Sequence, residues 1–224
     1  MLYIVASPIG NLNDISLRAL EVLRTVDIIA AEDTRQSRKL LTYFEIKKPL
    51  ISCHGYNEEK SADKIIEELK ADKTIAYVSD AGTPGISDPG AALVGRVREA
   101  GFQVVPIPGP SALTALLSVS GYRGKTITFE GLLSPKRGRR RSRLKELLAR
   151  NEGFVLYESP YRSLKLLADL DELEPMRTVL IGREISKVFE EFLQGTASEL
   201  SDVLSKRNSI KGEFSVLVFT RKIR

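Results

Sequence analysis

The 224-residue chain predicts an α/β protein of two domains. The first is built on a mostly parallel sheet with helices on both faces, the second on a mixed α/β sheet. Three observations predict it. From Leu2 to Val119, short apolar runs alternate with segments of helical period, the pattern of a parallel sheet covered on both sides. Past Ser120-Gly121-Tyr122-Arg123-Gly124 strands succeed one another, as a mixed or antiparallel sheet requires. Polar loops rich in glycine and proline follow the strands of the first half, at the rim where open α/β sheets bind ligands. The domains are accordingly expected at residues 1–120 and 121–224.

Taken in order, Leu2 to Ala6 is an apolar strand and Ser7 to Asp14 a turn-rich loop. Ile15 to Val26 has helical periodicity. Asp27 to Ala31 is a second strand, Arg35 to Phe44 a helix and Leu50 to Cys53 a short strand. Glu58 to Lys70 is an amphipathic helix. Thr74 to Val78 reads as a buried strand, followed by the helix Ala91 to Ala100, the strand Gln103 to Ile107 and the helix Ser111 to Val119. In the second half, strands are expected at Ile127 to Glu130, Phe154 to Glu158, Val179 to Arg183, Phe189 to Leu193 and Phe214 to Thr220. Helices are expected at Arg140 to Arg150, Ser163 to Leu170 and Ser198 to Ser205. Ser159-Pro160 suits a helix start, with serine as cap and proline in the first turn.

Composition narrows the class. Hydrophobic residues make up 42% and charged residues 28%, the balance of a soluble globular protein. No apolar run is long enough to span a bilayer. The chain enters a strand at Met1-Leu2-Tyr3-Ile4-Val5, without a basic region and apolar secretory segment. Cys53 is the one cysteine, which leaves no internal disulfide and no thiolate cluster for zinc, and fits a reducing cytosol. No metal-ligand spacing is present. His54 is the only histidine, and a lone histidine at a strand end is a structural or exposed residue more often than a base. Cys53 beside it suits the core.

Charge is uneven. Residues 1–120 carry 13 basic against 15 acidic residues, and residues 121–224 carry 21 against 14. The excess concentrates in Lys136, Arg137, Arg139, Arg140, Arg141, Arg143, Lys145 and Arg150, against Glu146 alone. Such a block needs solvent or an anionic partner. Arginine's planar fork suits phosphate, so the segment points to RNA or another polyanion.

The loop Ser79-Asp80-Ala81-Gly82-Thr83-Pro84-Gly85-Ile86-Ser87-Asp88-Pro89-Gly90 is the most informative part of the chain. It is far longer than a connection needs. Its glycines permit positive φ or close backbone approach, and its prolines stiffen it. Three more polar clusters follow strands: Ser7-Pro8-Ile9-Gly10-Asn11, Glu32-Asp33-Thr34-Arg35 and Pro108-Gly109-Pro110-Ser111-Ala112. In a parallel sheet they share one rim. No G-x-G-x-x-G or G-x-x-x-x-G-K pattern is present, which weakens a dinucleotide or nucleoside-triphosphate reading. Glu32 suits ribose binding at the end of a strand; equally, Glu32 and Asp33 suit helix capping, with Arg35 as their partner. Tyr157 to Arg162 and Arg183 to Lys187 put further charged residues at strand ends.

The ordered set SPIGNL (7–12), AEDTR (31–35), SDAGTPGISDPG (79–90), PGPSA (108–112), YESP.R (157–162), REISK (183–187) and KGEF (211–214) resembles the ribosomal RNA methyltransferases of the tetrapyrrole methylase superfamily, over almost the whole chain. The resemblance implies two α/β domains with the cofactor cleft between them, a homodimer, and S-adenosylmethionine as methyl donor. It implies transfer to the ribose 2′-hydroxyl of a cytidine in the decoding region of 16S rRNA, on rRNA or the small ribosomal subunit, in the cytoplasm and without a membrane. By carry-over it assigns donor contacts to Pro8, Gly10, Asp80, Gly82, Thr83, Ser87, Asp88, Pro89, Ser111 and Ala112.

A ribose hydroxyl is a poor nucleophile, and a base that takes its proton helps. Glu32, Asp33, Glu158, Glu184 and Lys187 are the candidates; lysine qualifies only with a depressed pKa. Arg35 and Lys187 are alternatively phosphate ligands, and RNA contacts are expected at Lys136, Arg137, Arg139, Arg140, Arg141, Arg143 and Lys145. Two departures stand out. Tyr161 occupies a position where the family usually has histidine, and Gly131-Leu132-Leu133-Ser134-Pro135 replaces a usual G-F-L-P. The rival readings are a methyltransferase acting on a corrin-type macrocycle and a non-catalytic RNA-binding protein.

Overall fold

Residues 1–55 and 58–221 are described by the structure, a computed structural model. The chain divides into two compact units, Met1–Ser111 and Ala112–Arg224. The helix after Ser111 therefore belongs with the second unit, ahead of the Ser120–Gly124 turn at which the sequence pattern changes.

The first unit holds five strands, β1 (Leu2–Val5), β2 (Ile28–Ala31), β3 (Leu50–Ser52), β4 (Ile75–Val78) and β5 (Val104–Ile107). They are all parallel, in the order β3-β2-β4-β1-β5. Helices α1 (Leu17–Thr25), α2 (Thr34–Tyr43), α3 (Glu58–Lys70) and α4 (Ala91–Glu99) connect them. Side chains alternate across the sheet. Val5, Ile29, Ala31, Ala76, Val78 and Ile107 pack with Ala19, Leu20 and Leu23 of α1 and Leu40 and Leu41 of α2. Leu2, Ile28, Ala30, Ile75 and Tyr77 pack on the other face with Ala62, Ile65 and Leu69 of α3 and Leu93 and Val97 of α4. Both faces are buried, which is why these strands read as continuous apolar runs.

Topology then positions a site. The chain leaves β1 and reaches β2 beyond β4, and it leaves β4 and reaches β5 beyond β1. Strands β1 and β4 are neighbours, yet α1 and α4 lie on opposite faces. The connections diverge there, and the carboxyl ends of β1 and β4 form the switch point at which such sheets open a crevice.

The second unit has strands β6 (Ile127–Leu132), β7 (Gly153–Glu158), β8 (Thr178–Arg183), β9 (Glu191–Thr196) and β10 (Phe214–Val218), in the order β6-β7-β10-β8-β9. Only β6 and β7 are parallel, so the sheet is mixed. Helices α6 (Arg137–Ala149), α7 (Pro160–Leu173) and α8 (Ala197–Ser205) cover one face through Leu144, Leu147, Leu166, Leu170, Leu200 and Leu204. Helix α5 (Ala112–Val119) packs against β10, with Leu116 fully buried. The Leu113 amide donates to Tyr157 Oη at 3.1 Å. A Cβ on Gly182 would sit 3.0 Å from Leu116 Cδ1.

Several boundaries differ from expectation, among them the start of α7 at Pro160 and the following two. Helix α6 starts at Arg137, which turns the first cations of the basic block into helix residues. Strand β9 starts at Glu191, because residues 184–190 form a tight turn with positive φ at Glu184 (51°) and Ser186 (69°).

Candidate functional site

The four rim loops of the first unit are stitched together. Ser7 N donates to Gly82 O at 2.9 Å, Gly82 N returns to Ser7 O at 3.1 Å, and Ser7 Oγ donates to Ser79 O at 3.2 Å. These bonds tie the loops after β1 and β4. The loop after β2 joins through Asp80 N donating to Glu32 Oε2 and Asp33 N donating to Asp80 Oδ1, both at 3.1 Å. The loop after β5 joins through Thr83 Oγ1 donating to Pro110 O at 3.2 Å. Gly82 sits at φ +77°, and a Cβ there would come within 3.2 Å of Ile9. Close crossing of the loops thus requires glycine.

The far end of the long loop is held differently. Glu58, in the first turn of α3, accepts from Gly90 N at 3.0 Å and from Leu93 N at 2.9 Å, capping α4 across the fold. Gly90 has φ +129°, and a Cβ would meet the Tyr77 ring at 2.9 Å. Sequence reasoning missed Glu58; its only trace is the acidic first turn of α3 beside a helix lacking a side-chain cap.

Among the expected donor contacts, Pro8, Gly10, Gly82 and Thr83 belong to the stitched loops, and Asp80 lies exposed among them. Ser111 directly follows the tethered Pro110. Ser87, Asp88 and Pro89 form the outer turn, where Ser87 has φ 66°. Ala112 opens α5 in the second unit.

The acids of the rim separate by environment. Asp33 caps α2, accepting from Arg35 N at 2.8 Å, and its carboxylate pairs with the Arg35 guanidinium at 3.0 Å. Those bonds hold its pKa below the ordinary range. Glu32 does not cap. Burial pushes its pKa up, and the neighbouring Asp80 and Asp33 charges add to that against the Asp80 amide. The paired expectation therefore divides: Asp33 caps, and Glu32 faces the long loop. Cys53 is fully buried, with its thiol pushed up to about 11 by burial. It belongs to the core, as expected.

In the second unit several expected site residues are committed to structure. Glu158 is buried, accepts from Ser159 N at 2.7 Å and pairs with Arg162 at 3.0 Å. Arg162 also donates to Leu133 O at 2.5 Å. Glu184 accepts from Glu213 N at 2.9 Å and from Lys187 Nζ at 3.0 Å. Burial opposes the Glu184 charge, but the Glu213 amide and Lys187 outweigh it, and its pKa is lowered. Lys187 is likewise opposed by burial, yet Glu184 and Glu213 raise its pKa. The depressed lysine that general-base work requires is not what the structure shows.

The basic block splits in the same way. Arg140 points inward; only 3% of it is exposed, and it pairs with buried Asp169 at 2.7 Å. Its expected RNA contact is corrected to a structural pair. Arg137 and Arg141 bind Asp169 (3.3 and 3.2 Å) and Glu172 (2.8 and 2.5 Å). Arg143 grips Glu130 with two bonds of 2.7 Å and reaches Glu146 at 2.7 Å. Asp169 and Glu172 lie three apart on α7, a spacing that puts both on one face and was the available signal. Lys136, Arg139 and Lys145 are exposed and, among the described residues, pair with no acid. Lys136 occupies the N-cap of α6 without a side-chain cap bond, and the first turn carries cations where helices favour acids.

A sequence model of the tetrapyrrole (corrin/porphyrin) methylases matches residues 1–201. The fold is that of a solved cobalt precorrin-4 methyltransferase of cobalamin biosynthesis (TM-score 0.66, 15% identity, 97% of this chain and 94% of that one). It is also that of uroporphyrin-III C-methyltransferase from Thermus thermophilus (TM-score 0.65, 16% identity, 98% and 91%). The chain belongs to the tetrapyrrole methylase family. Within it, the chain is 44% identical to the ribosomal RNA small subunit methyltransferase I of Borrelia garinii subsp. bavariensis, over 97% of this chain and 98% of that protein. It is 48% identical to the Xylella fastidiosa protein of that name and 43% identical to the Bacillus subtilis one, over 97% of this chain and 80% and 74% of theirs.

Proposed function

We propose that the chain is an S-adenosylmethionine-dependent methyltransferase that modifies the ribose 2′-hydroxyl of a cytidine in the decoding region of 16S rRNA, in the cytoplasm and as a homodimer. The observation that carries the chemistry is the stitched rim, which gathers four loops around Asp80 and Glu32. The relatives' shared name supports rRNA as acceptor, and the exposed Lys136, Arg139 and Lys145 suit its phosphates better than they suit a macrocycle.

The rim fits the donor chemically. It offers backbone groups on rigid turns and an acidic surround for a cationic ligand, with Asp80 as ligand of the donor's amino group. The donor, when bound, supplies a methyl group already activated by its sulfonium charge. The protein's own work is to position, to exclude competing water and to remove one proton. Glu32 takes that proton from the attacking hydroxyl, since burial has raised its basicity. Lys187, held charged by two carboxylates, serves as a phosphate ligand in this reading.

Asp80→Ala tests the site. Calorimetric titration with S-adenosylmethionine should show no binding, while circular dichroism remains that of the parent. Normal titration removes Asp80 from the site. Labelled donor with unmodified small subunits, followed by mass-spectrometric mapping, should place the label on one cytidine ribose; label on a base or none sinks the acceptor assignment.

A further inference from the structure

One end of the second sheet carries exposed rings and aliphatic side chains. Of the seven large apolar side chains that the second unit exposes among the described residues, four lie there: Leu132 (61% exposed), Tyr161 (88%), Val188 (92%) and Phe189 (71%). Register puts them on one line. Leu132, ending β6, stands opposite Tyr157 of β7. Glu158, ending β7, pairs with Phe214 at the start of β10, and Phe214 pairs with Arg183 at the end of β8. Arg183 stands opposite Glu191 at the start of β9. The segments that follow or precede these ends, residues 133–136, 159–161, 184–190 and 211–213, emerge side by side. The strands that lead to Tyr161 and away from Phe189, β7 and β9, lie three strand spacings apart, roughly 14 Å, which favours two base sites over one sandwich.

Charge on the same edge is mixed, but it includes cations that no acid neutralises. Lys136, Arg139 and Lys211 are exposed and unpaired by acids among the described residues. The acids are occupied: Glu158 holds Arg162, Glu184 and Glu213 hold Lys187, and Glu190 accepts from Ser186 N at 2.6 Å. Exposed rings beside free cations are the composition of a single-strand binding surface, where bases stack and phosphates pair. A duplex keeps its base faces inside and cannot use such rings. A protein partner fits less well, since interface cores are depleted in lysine.

We propose that this edge is a stacking platform for unpaired nucleotides of the RNA, with Tyr161 and Phe189 taking bases and Lys136, Arg139 and Lys211 taking phosphates. The proposal rests on the RNA-methyltransferase reading and adds a requirement to it: the acceptor presents a single-stranded stretch to the second unit.

Fluorescence anisotropy with a labelled single-stranded oligoribonucleotide and with a duplex of equal length tests it, on the full chain. Tyr161→Ala and Phe189→Ala should each weaken single-strand binding about five- to a hundredfold. Neither should alter the salt slope, duplex binding or donor titration. Tyr161→Phe, which keeps the ring, should bind within about twofold of the parent. Lys136→Ala and Arg139→Ala should instead each reduce the single-strand salt slope by about 0.7. If the Tyr161/Phe189 double variant binds single strands as the parent does while the parent methylates small subunits, the platform alone is overturned. A parent that binds no RNA overturns the platform and the RNA reading together. A double variant that loses self-association at unchanged RNA affinity identifies the edge as a contact between copies and overturns the platform.

Discussion

Arg139 and Arg140 are adjacent in the sequence and opposite in consequence. Arg140→Ala removes a buried guanidinium 2.7 Å from Asp169, which is itself buried. Breaking a buried pair from one side costs about 3–5 kcal/mol. Asp169 keeps Arg137 and Arg141 at 3.3 and 3.2 Å, so the lower figure applies. About 3 kcal/mol in a chain of this size lowers Tm by roughly 6–12 °C. Arg139→Ala removes an exposed cation and should move stability by less than about 0.5 kcal/mol. The RNA readout reverses: Arg139→Ala should flatten the salt dependence of binding by nearly one phosphate contact, and Arg140→Ala should leave the slope of its folded fraction alone. Urea titration and anisotropy between 50 and 200 mM salt, salt points of the kind over which phosphate binding changes by orders of magnitude, read both quantities. An Arg140→Ala protein of parental Tm with a flattened slope refutes the reasoning, because the side chain would then be reaching phosphate and not Asp169.

Glu32→Gln should lower kcat by about 10²–10⁴-fold with donor affinity nearly unchanged, the loss expected of a proton acceptor. The sign of its pH dependence is fixed by burial. The carboxyl is raised above its ordinary 4.5, so parental activity should climb as pH rises through that higher value, and the variant's profile should lose this acidic limb. A limb that persists in Glu32→Gln assigns the proton elsewhere. Gly82→Ala places a Cβ 3.2 Å from Ile9 at φ +77° and should cost about 1–3 kcal/mol, with weakened donor binding in calorimetry. Parental affinity and stability in that variant would show that the loops do not need their close crossing.

The first sheet could be read from sequence because its strands are buried on both faces and separated by helices, so each appears as an uninterrupted apolar run between turn residues. The rim loops stood out for a related reason: glycine and proline are costly unless backbone geometry demands them, and Gly82 and Gly90 both meet that demand. Ranking charged residues was harder. Eight cations within fifteen residues identify an electrostatic feature, but which of them are neutralised depends on Glu130, Asp169 and Glu172, carried by other elements. Arg140 and Arg139 differ only in the direction α6 turns them. The unit boundary was hidden likewise. Ser120–Gly124 is the stronger local signal, whereas the change at Ser111 is a change of packing partner, with α5 lying against β10. Glu32 and Asp33 looked equivalent until one was seen to cap α2 and the other to meet the Asp80 amide.

Glu58 gives the long loop a remote dependency. Its carboxylate anchors Gly90 and Leu93 from a helix on the back of the sheet, away from the stitched crossing at Gly82. A genetic screen for lost cofactor affinity would therefore recover lesions at position 58 and score them as ligand contacts, although that side chain acts as a guy-rope. Telling such a lesion from a true contact requires asking whether the tether at Gly90 has slackened, for which amide exchange along residues 84–93 is the natural gauge.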